Sequence, residues 1–593
     1  MTTDQMILFA LFGGVFAMLL WGRLRYDIVA FGALLIGLVL GVVPTEDAFS
    51  GFANKATVVV ALVLIVSAGL VRSGAVLVIT RTAVDAGRSV AGHIAVIGGI
   101  GAALSAFMNN VAALALLMPV DIATAKKARR LPSATLMALS FATILGGMIT
   151  LIGTPPNIII SEIRNDELGD GFSMFDFAPV GLAVTVAGMA FIALIGWRFI
   201  PGSSGDAADA AGGEEVEHYV AELTVPAESR HIGSTVSDVA RLADESNVQV
   251  LGLVRDGRRM FGTARDVALA EGDAIVLEAT PEDLDEFRAA EDLTFSDRKR
   301  MSLLDSSAEG LSQVEVVVTE TSRIRNQTAQ SIGLAWRKRT VLLGISRRGK
   351  RVTDRLRRTK VRQGDILLLL APTDQVEDVV RWLGALPLAD RGLAVTEKRK
   401  IWPAVGIFGA AVILASLGIL DLTVALSIVV TIYALTRIVP LQELYDHVEW
   451  PVVVLLGSMI PLGAALDDAG GTVLIAEWLT TLTQGRPAWM ALGMLMVVTM
   501  LLSAVLNNTA TAIVAAPVGI EMARAIDVSP DPFLMAVAVA ASCAFLTPIG
   551  HKNNTLVLGP GGYRFGDYWR MGLPLTVLVI AVGLPAILFF WPL

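Results

Sequence analysis

The chain has 593 residues, of which 54% are hydrophobic and only 17% charged, with a formal net charge of −8. Soluble proteins carry about 25% charge, so the composition argues against a purely cytosolic enzyme. The charge is also segregated: residues 201–400 hold 62 of the 102 charged side chains, which marks a polytopic membrane protein interrupted by a soluble insert. The single cysteine, Cys543, sits in an apolar run and cannot make an intrachain disulfide or a cysteine-based zinc site.

Runs of about 17–25 apolar residues can cross a bilayer as helices. In chain order they lie at 4–22, 26–44, 56–73, 133–152 and 176–200, and beyond the insert at 402–418, 421–438, 450–466, 532–550 and 572–590. The first has no small-residue cleavage site before a polar region, so it reads as a retained span and not a signal peptide. Two further apolar stretches, 91–120 and 488–518, are broken midway by Ser105-Ala-Phe-Met-Asn109-Asn110 and Ser503-Ala-Val-Leu-Asn507-Asn508-Thr509.

Short cytoplasmic loops are enriched in Lys and Arg. The basic positions (Arg23, Arg25, Arg72, Arg81, Arg88, Lys126, Lys127, Arg129, Arg130, Arg198, Lys398, Arg399, Lys400, Arg437, Arg564 and Arg570) share one side only if 91–120 is a re-entrant hairpin from the cytoplasm and 488–518 one from outside. That arrangement puts the insert in the cytoplasm and both termini outside, in a cell (inner or plasma) membrane. The halves also match in sequence. LSAFMNNVAALALLMPV (104–120) aligns with LSAVLNNTATAIVAAPV (502–518) at an offset of 398, and Ile152-Gly-Thr-Pro-Pro-Asn157 with Ile549-Gly-His-Lys-Asn-Asn554 at 397.

The fold expected is an all-α polytopic membrane protein with an inverted repeat, five spans plus one re-entrant hairpin per half. Two small α/β cytoplasmic domains are inserted between the halves. The segments are 1–200, 213–290, 311–386 and 398–593.

A helix is interrupted inside hydrocarbon only where it lines a protein cavity. Here four interruptions are expected: the two Asn-Asn tips, the Gly153-Thr154-Pro155-Pro156 hinge and the Gly550-His551-Lys552-Asn553-Asn554 hinge. Each leaves a half-helix N-terminus with free N–H groups, suited to an anion. Each also leaves carbonyl and Asn oxygens, which suit Na⁺. His551 and Lys552 are rare ionisable groups in an apolar span and are candidates on that ground. No dense row of intramembrane carboxylates suggests a proton relay, and the five histidines (93, 218, 231, 447, 551) have no metal-ligand spacing.

The paired tips, the IGTPPN hinge and TPIGHKNN…GPGGYRFGDYWRMG (547–572) resemble the divalent anion:sodium symporter and citrate-transporter-like group of the ion-transporter superfamily, over about 1–200 and 398–593. The resemblance implies a homodimeric elevator carrier whose tip triplets bind the carboxylate or oxyanion and help hold Na⁺. Carried over by position, the triplets are Asn109-Asn110-Val111 and Asn507-Asn508-Thr509, and Thr154, His551 and Asn553 complete the expected substrate contacts. The coupling-ion sites implied are Ser105, Asn110, Gly153 and Asn157 on one side, and Ser503, Asn508, Gly550 and Asn554 on the other. Each triplet opens with Asn instead of Ser, and Val111 lacks a hydroxyl, similar to the branch that includes sulfate permeases with a soluble insert.

After a Gly/Ser/Ala linker at 201–212, the insert reads as two copies of one small α/β unit. Arg255-Asp-Gly257 matches Arg347-Arg-Gly349, and Gly272-Asp273 matches Gly364-Asp365, both at offset 92, while His231-Ile-Gly233 matches Ser331-Ile-Gly333. This resembles a tandem of regulator-of-K⁺-conductance C-terminal (TrkA-C-like) domains, which implies dimerisation and a small ligand, possible nucleotides among them. No strand–GxGxxG–helix unit points to a dinucleotide. The Arg337–Arg362 cluster could attract an anionic ligand or lipid headgroups.

No hydrolase, kinase or nucleotide-loop motif indicates an enzyme, and nothing indicates a nucleic acid polymer as partner. The reading is a Na⁺-coupled secondary carrier for a small divalent anion, a sulfate-like oxyanion or a di- or tricarboxylate, whose insert regulates or dimerises it. The alternative is a ligand-gated K⁺ or other cation channel or transport protein, against which stands the lack of a TVGYG-like filter.

Overall fold

The computed structural model describes residues 1–21, 24–74, 89–128, 130–200, 400–483 and 485–593. Within the insert it describes 219–246, 248–255, 258–261, 266–279, 281–295, 311–319, 322–329, 331–334, 338, 340–347, 350–352, 359–372 and 375–387. The 201–212 linker, Arg23, Arg81, Arg88, Arg129, Lys398, Arg399 and much of the Arg337–Arg362 cluster lie outside the described residues. The chain divides into two compact units, residues 1–204 with 394–593, and residues 205–393.

The first unit is helical throughout. Its first half runs α1 (Thr3–Trp21), α2 (Tyr26–Val39), the single turn α3 (Ser50–Ala53), α4 (Lys55–Ser73), α5 (Val90–Ser105), α6 (Asn110–Lys127), α7 (Leu136–Gly147), α8 (Pro155–Leu168) and α9 (Ala178–Leu194). The insert contributes α10 (Val236–Glu245), α11 (Pro281–Ala290) and α12 (Val376–Leu383). The second half runs α13 (Ile401–Ser416), α14 (Leu422–Leu435), α15 (Trp450–Asp468), α16 (Gly471–Leu482), α17 (Ala488–Ser503), α18 (Asn508–Ala525), α19 (Pro530–Ser542), α20 (Lys552–Leu558) and α21 (Tyr568–Phe590). Among the described residues, Lys55–Ser73, Trp450–Asp468 and Phe565–Phe590 are long and apolar enough to cross a membrane, and the other apolar helices are shorter.

Several helices of the two halves correspond: α5 and α17 begin 398 residues apart, as do α6 and α18, and α8 and α20 begin 397 apart. They also interlock, α2 packing on α15, α4 on α14 and α9 on α21.

Two expected spans are corrected. The runs at 133–152 and 532–550 do not form continuous helices: α7 has 12 residues and α19 has 13, about 18–20 Å of rise against a hydrocarbon core of about 30 Å. The chain leaves the helix at Gly147 and Ser542, continues irregularly, and restarts at Pro155 and Lys552. Pro155 and Pro156 open α8, where a missing N–H costs nothing, so the break precedes the prolines. The helix α16 was not anticipated, because its 12 residues fall below the spanning length sought.

The second unit holds two five-stranded antiparallel sheets. The first comprises β1 (Tyr219–Thr224), β2 (Gln249–Arg255), β3 (Arg258–Phe261), β4 (Ala274–Ala279) and β5 (Thr294–Phe295); the second comprises β6 (Leu311–Val317), β7 (Val341–Arg347), β8 (Lys350–Arg351), β9 (Ile366–Pro372) and β10 (Leu386–Pro387). The strand orders, β3-β2-β4-β1-β5 and β10-β6-β9-β7-β8, are the same arrangement read from opposite edges. Even the bulges coincide, at Val250/Gly252 and Leu342/Gly344.

The matched sequence motifs are matched ion pairs. Arg255 donates to both oxygens of Asp273 at 2.8 and 2.6 Å, and Arg347 to both of Asp365 at 2.9 and 2.7 Å. Each fork ties the end of one strand (β2 or β7) to the Gly-Asp turn that precedes its neighbour in the sheet (β4 or β9). Val254 and Val276 of the first sheet pack with Val341, Leu343, Leu368 and Leu370 of the second, so each sheet covers the other within one chain.

Burial opposes ionisation of Asp273, but hydrogen bonds from the Arg255 guanidinium and the Ala270 amide outweigh it and hold the carboxyl below its usual range. The stabilisation is therefore present above the unfolded-state value of about 3.9 and is lost as pH falls through the lower folded-state value. In a fragment carrying residues 205–393, Arg255→Met is expected to lower unfolding stability by about 1–3 kcal/mol and to abolish this acid-dependent increment. Urea titrations at neutral and acid pH check both.

Candidate functional site

Where α5 ends and α6 begins, four residues (106–109) separate the helices, and four more (504–507) separate α17 from α18. Both junctions are built alike. Asn109 Oδ1 accepts the Val111 N–H at 2.8 Å and Asn507 Oδ1 the Thr509 N–H at 2.9 Å, capping helices that start within an apolar unit. Ser105 Oγ donates to Asn110 Oδ1 at 2.6 Å; Ser503 Oγ lies 3.0 Å from Asn508 Oδ1 and donates to the Ala541 carbonyl at 2.5 Å. All four of these side chains are buried. The first residue of each expected triplet is therefore a cap, and the second faces a serine.

The hinges are stapled to the tips by hydroxyls and carboxamides. Thr150 donates to the Ala106 carbonyl and Thr547 to the Ala504 carbonyl, which satisfies an acceptor that the helix break orphans. Asn157 Nδ2 donates to the Thr150 carbonyl at 2.9 Å. Asn554 Nδ2 likewise donates to the Thr547 and Ala544 carbonyls at 3.1 and 2.8 Å, and its Oδ1 accepts from Ser140 Oγ at 2.8 Å. Gly153 and Gly550 lie against backbone: a Cβ at Gly153 would come within 2.4 Å of the Gly147 carbonyl, and one at Gly550 within 2.8 Å of the Ser503 carbonyl. Thr154 is the buried N-cap residue of α8, with no side-chain cap bond.

The second hinge also reaches the first tip. Asn553 Nδ2 donates to Thr143 Oγ1 at 2.8 Å and to the Asn110 carbonyl at 3.2 Å. His551 Nδ1 accepts the Asn553 N–H at 3.1 Å, so the ring proton sits on Nε2. That Nε2 lies 3.4 Å from Asn110 Nδ2. Asn110 Oδ1 faces the Ser105 hydroxyl, so Asn110 Nδ2 and His551 Nε2 come together from opposite halves of the unit. Such a pair is complementary to an anion's oxygen. It also mixes residues from both halves.

Lys552 does not contribute free positive charge. It pairs with Glu449, and its ammonium sits 5.5 Å from the centre of the Tyr26 ring.

Sequence reasoning missed three features. The first is Gly147, where a Cβ would fall 2.3 Å from Asn110 Oδ1. The second is a buried carboxylate on the first hairpin: Asp121 accepts from Thr135 Oγ1 at 2.6 Å and pairs with His93 Nε2 at 2.5 Å. By the 398 offset the second half has Ala491 and Gly519 in those places, so pattern matching between halves could not find it. The third is an exchange across halves beyond each hinge: Arg164 binds both oxygens of Asp531 at 2.8 and 3.1 Å, and Tyr563 donates to the Ser133 carbonyl at 2.6 Å.

The two neighbouring glycines separate a site effect from a folding effect. Gly147→Ala meets the Asn110 carboxamide, which must give up its bond with Ser105 to move aside; Gly146→Ala meets the Ala102 backbone carbonyl at 2.1 Å. Gly147→Ala is expected to fold yet lose about ten- to a hundredfold of transport rate. Gly146→Ala is expected to lose about 3 kcal/mol or more of stability. Uptake and thermal unfolding on the same preparations distinguish them.

A family profile described as "Citrate transporter" matches residues 16–495 and 474–593. The chain is 31% identical to "Uncharacterized transporter sll0640" of Synechocystis over 97% of its own length and 95% of the relative's. It is 28% identical to the "Putative sulfur deprivation response regulator" of Chlamydomonas reinhardtii, with 96% and 99% covered. It is 26% identical to "Probable sodium/sulfate cotransporter 3" of the same alga, with 55% and 38% covered. A largely helical membrane unit with these relatives is a transporter: the chain belongs to the citrate transporter family.

Proposed function

We propose that the protein is a secondary active carrier that imports a small divalent anion, a sulfate-like oxyanion or a di- or tricarboxylate, coupled to Na⁺. The observation that carries this reading is the donor pair of Asn110 Nδ2 and His551 Nε2, 3.4 Å apart at the junction of the first tip and the second hinge. An oxyanion brings the acceptor that these groups lack, and Asn508 and Thr509, both buried at the second tip, complete its surroundings. Neutral donors preorganised in a water-poor site stabilise an anion without a counter-charge to release. The matched Ser105/Asn110 and Ser503/Asn508 oxygens are hard and uncharged, as Na⁺ prefers.

The two helix–tip–helix segments enter the bilayer from opposite faces, as an inverted repeat. The interlocked pairs α2/α15 and α4/α14 form a scaffold, against which α5–α9 and α17–α21 move as an elevator. A homodimer supplies the fixed frame. The insert acts from the cytoplasm as a TrkA-C-like tandem that regulates transport. Its sheets already cover one another within the chain, so a face other than these would join two protomers.

Proteoliposomes carrying the purified chain test the reading with labelled sulfate, succinate and citrate, with and without an inward Na⁺ gradient. Saturable uptake of at least one anion that collapses without the gradient is expected. Asn110→Ala and Asn508→Ala are expected to reduce it to background while expression stays close to wild type. Gradient-independent flux, or wild-type rates in both variants, would contradict the assignment.

A further inference from the structure

The second hinge is tied to elements of the scaffold. Lys552, the first residue of α20, pairs through Nζ with Glu449, the N-cap residue of α15. The same ammonium lies 5.5 Å from the centre of the ring of Tyr26, the first residue of α2. Because α2 and α15 pack on one another, the ring and the carboxylate form one corner that receives a lysine from the hinge. Each charged side chain is 32% exposed, so salt screens the pair less than it would a fully exposed one.

The scaffold repeats this corner in its other half with the charges exchanged. α14 begins 396 residues after α2, and α15 begins 395 after α4, so the starts of α14 and α4 are the counterparts of the starts of α2 and α15. There the scaffold supplies the lysine: Lys55 pairs with Asp421 at 3.8 Å. The helix α8, which packs on α4, brings Glu162 within electrostatic reach of both. At the 397 offset the first hinge has Pro155 in place of Lys552. The helices beyond the hinges therefore carry a base to one corner and an acid to the other.

We propose that Lys552 with Glu449, and Glu162 with Lys55, are the two end stops of the transport movement, the first closed and the second open in this conformation. This inference rests on the elevator movement in the reading above. In an inverted repeat the two end states exchange the roles of the halves, so a contact made by one hinge in one state is made by the other in the next. Moving α20 off its corner opens the Lys552 pair, and Glu162 then takes Lys55 from Asp421. Opening a partly buried pair without a replacement strands its charges. Exchanging one pair for another keeps both end states populated, as a carrier requires.

Proteoliposomes carrying the full chain with Glu449→Cys and Lys552→Cys test this, because the native Cys543 is buried. Linking positions 449 and 552 with a short, reducible thiol cross-linker is expected to cut anion uptake at least about tenfold, and reductant to restore it. Glu449→Lys or Lys552→Glu alone sets like charges together and is expected to slow uptake about tenfold, and the two combined to recover most of the loss. Glu162→Gln, which removes the opposite stop, is expected to raise the yield of the 449–552 cross-link at least about twofold; an unchanged or lower yield overturns the second stop. Full uptake by the linked carrier, wild-type uptake in the single exchanges, or no recovery in the double exchange overturns the first. Should the exchanges fail to fold, the cross-link decides. No anion uptake by wild type overturns the carrier reading and both stops with it.

Discussion

Hydrocarbon offers no hydrogen bonds, so a chain that breaks its helices at membrane depth must repair each break from within. In this protein the repair is made by a small set of hydroxyls and carboxamides used twice. Thr150 and Thr547 cap the carbonyls of Ala106 and Ala504, Asn157 and Asn554 hold the hinges, and Ser105 and Ser503 engage Asn110 and Asn508. An orphaned amide or carbonyl costs roughly 1–3 kcal/mol even in protein surroundings. Leaving several unrepaired would consume much of the stability of a folded domain. The same groups that make the breaks tolerable leave a few polar atoms over, and those leftovers form the candidate site.

The duplication is a frame on which the two halves have diverged. Val111 stands opposite Thr509, the Pro155-Pro156 pair opposite Lys552-Asn553, and Ala491 and Gly519 where the first half has His93 and Asp121. The divergence follows a division of labour. The first hinge begins a helix on Pro155 and Pro156, which carry no polar side chain where the second hinge has Lys552 and Asn553. The second hinge carries His551 and Asn553 to the opposite tip. The Arg164–Asp531 fork and the Tyr563–Ser133 bond tie each post-hinge segment to the other half.

Much of this was legible in the sequence, for definite reasons. Asn-Asn in the middle of an apolar run, repeated 398 residues later beside a repeated hinge, has few explanations other than a broken membrane helix. Charge segregation marked the insert, and the matched Arg and Gly-Asp motifs marked its duplication. What the sequence could not give was polarity. A carboxamide offers both donor and acceptor, and only its neighbours decide which end is left: Asn553 reads as a donor until Thr143 and the Asn110 carbonyl are seen to take both hydrogens. Lys552 reads as a cationic ligand until Glu449, 103 residues away, is found against it. The lengths of α7 and α19 were overestimated because hydropathy does not register a change from helix to irregular backbone when both are buried and apolar. Asp121 escaped because a lone carboxylate beside Lys126 and Lys127 looks like a loop residue until His93 and Thr135 close on it.

The account stands or falls on whether residues 90–127 and 488–525 turn back inside the bilayer and meet around a shared ligand. A cryo-electron microscopy map of the protein in lipid nanodiscs, with Na⁺ and a transported anion, tests this most directly. The account predicts both segments re-entering from opposite faces, with density between Asn110, His551 and Asn508. Two segments that each cross the bilayer fully, with their Ser–Asn pairs far apart and nothing bound between them, would contradict it.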